Sequence, residues 1–186
     1  MRKLKILIGL SLICFASNIN AQSSLGSLSA NANASAQLLI PMTIAVGTTS
    51  LNFGTIIQTT ANATGTVVMP ATNTTITYTE LFAATTLTGI IAPTRGSFNV
   101  TGTPNESFAI VLPATITLTN TTSAASSETL TVSSLVSSFA DAAHSLISTL
   151  SSTGTGSFTV GGTLTIPANQ MGGSYAGTYA VTVDYN

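Results

Sequence analysis

The chain has 186 residues, only 5% of them charged, and no Trp. Beyond residue 21 one basic side chain, Arg95, stands against five acidic ones, Glu80, Glu106, Glu128, Asp141 and Asp184, for a net charge of −4. This balance excludes nucleic-acid binding by phosphate neutralisation and a basic membrane-surface patch, and it argues against most enzyme chemistry, whose ionisable groups are nearly absent.

Residues 1–21 have the three parts of a secretory signal. Arg2, Lys3 and Lys5 are the positive end, Ile6–Phe15 the apolar run, and Ala16–Ala21 the small polar end. The run is shorter than the roughly twenty residues of a membrane span. Cleavage is expected after Ala21, leaving 22–186 as a single exported domain in the periplasm, at the cell surface or outside the cell, with no membrane insertion. Cys14 leaves with the leader, and Ile13 before it does not fit a lipidation site. The mature chain then has no Cys, which excludes disulfides and thiolate zinc sites. Its core alone must hold it.

Side chains alternate faces along a strand, so period-two patterning marks half-buried strands. The first such run is Ala30, Ala32, Ala34, Ala36, Leu38 and Ile40, ended by Pro41. Leu51 with Phe53, Val67 with Met69, and Ile76 with Tyr78 follow. Then come Phe98 with Val100, and Phe108, Ile110 and Leu112. Pro113 separates these from Ile116 and Leu118, giving either two strands or one bent edge strand. Leu130 and Val132 alternate next, whereas 134–150 reads as a Ser-rich loop, with a single helical turn near Asp141–Ser145 as the alternative. Phe158, Val160, Gly162, Leu164 and Ile166 form a clean run, and Tyr175, Gly177, Tyr179, Val181, Val183 and Tyr185 close the chain. Clusters such as Gly102-Thr103-Pro104-Asn105 and Gly172-Gly173-Ser174 supply turns. About ten strands at this spacing indicate an all-β sandwich or barrel. Thr and Ser fill the outward faces. Edge strands are usually guarded by charge, which is scarce here, so loops or a partner chain must cover them.

Asp141, His144 and Ser145 lie within five positions, whereas triad members converge from separate loops, and no Gly-X-Ser-X-Gly turn exists. One His and scattered carboxylates make no transition-metal site, and no Asp-rich loop suggests calcium. Gly154-Thr155-Gly156 lacks the Lys and helix of a phosphate loop. Phe98, Phe108, Phe158, Tyr175, Tyr179 and Tyr185 fall on inward phases, so they read as core rather than a carbohydrate platform. No catalytic, metal or cofactor-binding residue is assigned, and the chain reads as a non-enzyme without cofactors.

Four stretches carry a resemblance: Leu51-Asn52-Phe53-Gly54, Gly96 to Pro104, Val160-Gly161-Gly162-Thr163-Leu164-Thr165-Ile166, and the closing Gly173 to Tyr185. With them the chain resembles a family of secreted bacterial β-domains of unknown function. More distantly it is similar to spore-coat U domains and chaperone–usher pilins. The resemblance implies an Ig-like, pilin-like Greek-key β-sandwich. The leader, the near-absence of ionisable groups and the regular strands lead to the expectation of a structural subunit, surface-displayed or fimbria-like, that assembles through strand edges with copies of itself or other surface subunits. The assembly strands would be Ala30, Ala32, Ala34, Ala36, Leu38 and Ile40, and Tyr175, Tyr179 and Tyr185. The first of these is either a donor to a neighbour or, by default, the domain's own first strand. The alternative is a monomeric surface adhesin with a glycan receptor.

Overall fold

A computed structural model describes residues 29–58, 63–72, 75–83, 90–122, 128–139 and 146–186. The chain divides into two units, Met1–Gln37 and Leu38–Asn186. In the first, residues 29–37 are exposed and carry no strand.

The second unit is all-β, and no helix occurs among its described residues. Its strands are β1 (Thr43–Val46), β2 (Ile56–Gln58), β3 (Gly65–Met69), β4 (Thr77–Thr79), β5 (Leu81–Ala83), β6 (Gly96–Thr101), β7 (Ser107–Val111), β8 (Thr115–Asn120), β9 (Thr129–Ser137), β10 (Ile147–Thr149), β11 (Thr155–Ile166), β12 (Tyr175–Ala176) and β13 (Thr182–Tyr185). Eight of them form a curled, half-barrel sheet in the order β1-β6-β11-β9-β8-β12, with β3 and β4 joined to it through β11. A second sheet runs β10-β7-β13, and β2 pairs with β5. Every pairing is antiparallel.

Strand β11 organises the large sheet. Along one edge its first half pairs with β6 and its second half with β3; β9 takes the other edge. The junction falls at Gly161. A Cβ there would sit 2.2 Å from the Met69 carbonyl oxygen and 2.7 Å from the Pro70 carbonyl carbon, so β3 leaves the sheet across a space only glycine provides. Two bonds tie this exit down. Arg95 Nε donates to the Pro70 carbonyl at 2.6 Å, and the Thr159 hydroxyl donates to the Ala71 carbonyl. The only basic side chain among the described residues is thus spent on a backbone oxygen.

Alternation decides which face is buried. Phe158, Val160, Leu164 and Ile166 all point inward. Phe98, Val100, Phe108, Ile110, Leu150, Phe158 and Val160 make one core cluster. Phe53, Val67, Met69, Leu81, Ile116, Leu130, Val132, Leu164 and Ile166 make another. Opposite one another on neighbouring strands, Phe98 and Phe158 stack at 5.3 Å, a cross-strand aromatic pair of the kind that stabilises sheets.

Three expectations are corrected. No strand forms over Ala30–Ile40; residues 29–42 are irregular and the first strand starts at Thr43, beyond Pro41. Four of the six alternating positions in that run are Ala, which offer too little apolar area to hold a strand to a sheet. The loop expected over 134–150 is also shortened at both ends, because β9 continues to Ser137 and β10 occupies Ile147–Thr149; residues 140–145 lie outside the described residues. Between Gly161 and Thr163 of β11, the facing β9 residues advance by three, from Val136 to Ser133. The extra residue is a β-bulge, with Ser134 in a left-handed conformation at φ 50°. It shifts the phase of alternation, so the strand's second half did not read as one. Finally, the closing run is two short strands rather than one. Pro113 does separate two strands, β7 and β8, which belong to different sheets.

Candidate functional site

The C-terminal run bridges the two sheets. Tyr175–Ala176 pairs with β8 in the large sheet, and Thr182–Tyr185 pairs with β7 in the small one. A segment that pairs first with one and then with the other must leave the ladder between them, and residues 177–181 do so. The inward phase survives the crossing: Tyr175, Tyr179, Val181, Val183 and Tyr185 are half-buried while their neighbours are exposed.

Each tyrosine has its own role. Tyr179 meets Phe98 edge-to-face at 6.1 Å, and burial pushes its phenol above its ordinary pKa. The Tyr175 hydroxyl donates to the Met171 carbonyl at 2.5 Å and accepts from Gln170 Nε2 at 2.8 Å. The same Gln170 nitrogen donates to Glu128 Oε2 at 2.6 Å. Tyr185 closes a ring of bonds at the far end. Its hydroxyl accepts from Thr103 N–H at 2.7 Å and donates to the Ile40 carbonyl at 2.7 Å, and Ile40 N–H donates to Thr103 Oγ1 at 2.8 Å. Gly102 makes room for it, since a Cβ there would lie 2.6 Å from the phenol oxygen.

This ring fixes where the chain enters the second unit. Leu38, Leu39 and Ile40, just before β1, are exposed at 92%, 40% and 55%. Among the described residues, β1 pairs only with β6 and β13 only with β7. The two strands approach one another without forming a ladder. Their outer positions carry Thr, Ala, Val and Asp184, with no Lys to guard the edge.

A second feature lies under the closing run. A half-enclosed cavity of about 640 Å³ separates the inward face of β8, β9 and the end of β11 from the segments 51–58 and 170–179. Ile116, Leu118, Leu130, Val132, Leu164 and Ile166 form its floor; Asn52, Gln58, Gln170 and Tyr175 are among its polar groups.

The assembly residues expected from sequence therefore fall in three places. Ala30, Ala32, Ala34 and Ala36 are exposed in the leading unit, whose described residues, 29–37, form no strand. Ile40 and Tyr185 come together, with exposed Leu38 preceding them. Tyr175 and Tyr179 line the cavity. Asp141, His144 and Ser145 lie outside the described residues. Sequence reasoning missed the Glu128–Gln170 bond, which joins positions 42 apart, and the contribution of Thr103. Neither follows from a motif, because a lone amide or hydroxyl has no spacing to betray its partner.

No curated protein matches the chain. Residues 42–185, from just before β1 to the end of β13, match a family described only as a domain of unknown function, DUF4402, and the chain belongs to that family.

Proposed function

We propose that this protein is a non-enzymatic, exported structural subunit, displayed at the bacterial surface and assembling in a fimbria-like manner through its strand edges. In this reading the facing sheets are those of a pilin-like Greek-key sandwich. The observation that carries the proposal is the pair of open edges on β1 and β13, uncharged but for Asp184, beside the exposed Leu38-Leu39-Ile40 segment. An unguarded edge is a template for main-chain pairing with another chain. The bonds of Tyr185 and Thr103 to Ile40 hold the start of the second unit at that same seam, and in this reading the residues preceding it pair with a neighbouring subunit.

The test is the solution mass of residues 22–186 against a variant lacking 22–39. Ladders or filaments that vanish on truncation, with an unchanged β-sheet circular dichroism spectrum, are the expected outcome. A chain that stays monomeric at every concentration overturns the proposal and directs attention to the adhesin alternative and its glycan receptor.

A further inference from the structure

The cavity calls for an occupant different from a partner strand. Its floor strands are all paired within the large sheet. Its walls are largely paired too. Asn52 bridges to Thr94, Thr55 N–H donates to the Ile91 carbonyl, β2 pairs with β5, and β12 pairs with β8. A peptide strand binds an edge by main-chain hydrogen bonds, and this site has little edge to offer. It has instead an apolar floor and a few convergent polar groups, within the size range of small-molecule sites, roughly 300–1,000 Å³.

Charge narrows the ligand class. Among the described residues that line the cavity there is no Asp, Glu, Lys, Arg or His. Arg95 is not among them and bonds to Pro70. The charge bonded to a lining residue is negative, the Glu128 carboxylate held against Gln170. A carboxylate or phosphate entering this site loses water and meets no counter-charge, and an ammonium meets one only at the rim. A neutral hydroxyl has a better fit. The Gln170 N–H groups and the Tyr175 phenol proton are committed to Glu128, Tyr175 and Met171, so what Gln170 Oε1 and the phenol oxygen offer is acceptor capacity, which a hydroxyl can satisfy and a carboxylate cannot.

We infer that this cavity is a binding site for an uncharged amphiphile with an aliphatic or aromatic body and one neutral hydrogen-bonding end. The site is separate from the open edges of β1 and β13, so it operates whether or not the subunits assemble.

The test uses residues 22–186 with N-phenyl-1-naphthylamine, a neutral dye that brightens in apolar sites. Saturable brightening near one dye per chain is expected. Decanol should displace the dye at least about tenfold more effectively than decanoate near pH 8, where the acid is ionised. Leu118→Trp, which fills the cavity, should weaken dye binding by about tenfold or more. Should that variant fold poorly, Met171→Trp tests the same point from the rim, where Met171 is 46% exposed and the core is undisturbed. Val111→Ser, at an exposed position away from the cavity, should leave binding unchanged. Absence of saturable binding overturns the inference. So does equal displacement by decanoate, or a folded rim variant that binds as the parent does.

Discussion

Strand β11 serves two cores that are filled differently. Its first half carries Phe158 and Val160 into a cluster with Phe98 and Phe108. Phe139 joins them, 6.2 Å from Phe108 and 6.0 Å from Phe158, ring centre to ring centre. Its second half carries Leu164 and Ile166 onto the floor of a cavity of about 640 Å³. The same alternation buries both halves, so the difference lies in what faces them. Aromatic rings are large and interlock at edge-to-face and stacked angles, and they close the first core. Aliphatic side chains from β8, β9 and β11, faced by an irregular segment and the crossing of the closing run, leave the second one open. Burial of a side chain from solvent and close packing around it are therefore separate properties in this protein.

Truncation at matched depth tests that contrast most strongly. Phe108, fully buried, should lose about 3–5 kcal/mol on Phe108→Ala. Leu164 is almost as deeply buried but lines the cavity, so Leu164→Ala should cost only about 2 kcal/mol, the low end for such a change. Urea unfolding measures both. Equal losses would mean that the second core is as tightly packed as the first.

The junction between the two halves supplies a smaller effect. A methyl group at Gly161 collides with backbone of the β3 exit rather than with a flexible side chain. Gly161→Ala should cost about 1–3 kcal/mol, as overpacking typically does. Amide exchange should accelerate most in β3 and in the half of β11 that pairs with it. Uniform acceleration across both cores would show that the halves unfold as one.

The smallest effect concerns pH. Tyr179 touches both regions, and burial raises its phenol pKa above the ordinary value near 10. The unfolded phenol ionises first, so stability is intact below about pH 10 and falls as pH rises through the folded value. Tyr78 is raised for the same reason. Tyr179→Phe should make the alkaline decline shallower without abolishing it, as read from melting temperature against pH. An unchanged slope would place the Tyr179 phenol in water rather than between the cores.

Much of the fold was legible in advance. The inward phase of Phe98, Phe108, Ile116, Leu130, Phe158 and Leu164 follows from alternation alone, and all six are buried. Legibility failed where alternation ceased to report the backbone. The bulge at Ser134 hid half of β9, and the Ala-rich run before Pro41 alternates without forming a strand. At the candidate site, Tyr185 was singled out by its place in the closing run. Its partners Thr103 and Ile40 were not linked to it, because contacts across 82 and 145 positions have no local signature.

Composition and period two by themselves determined an all-β chain with inward apolar faces and few charges. These properties reside in each residue and its neighbours two positions away, so they need no tertiary contact. Only the tertiary structure decided that the closing run divides between two sheets, that Arg95 is spent on the Pro70 carbonyl, and that one of two similarly patterned cores contains a cavity. Each of these depends on which strands meet and on the volume left between them. That volume is set by side chains drawn from distant parts of the chain, and no local pattern encodes it.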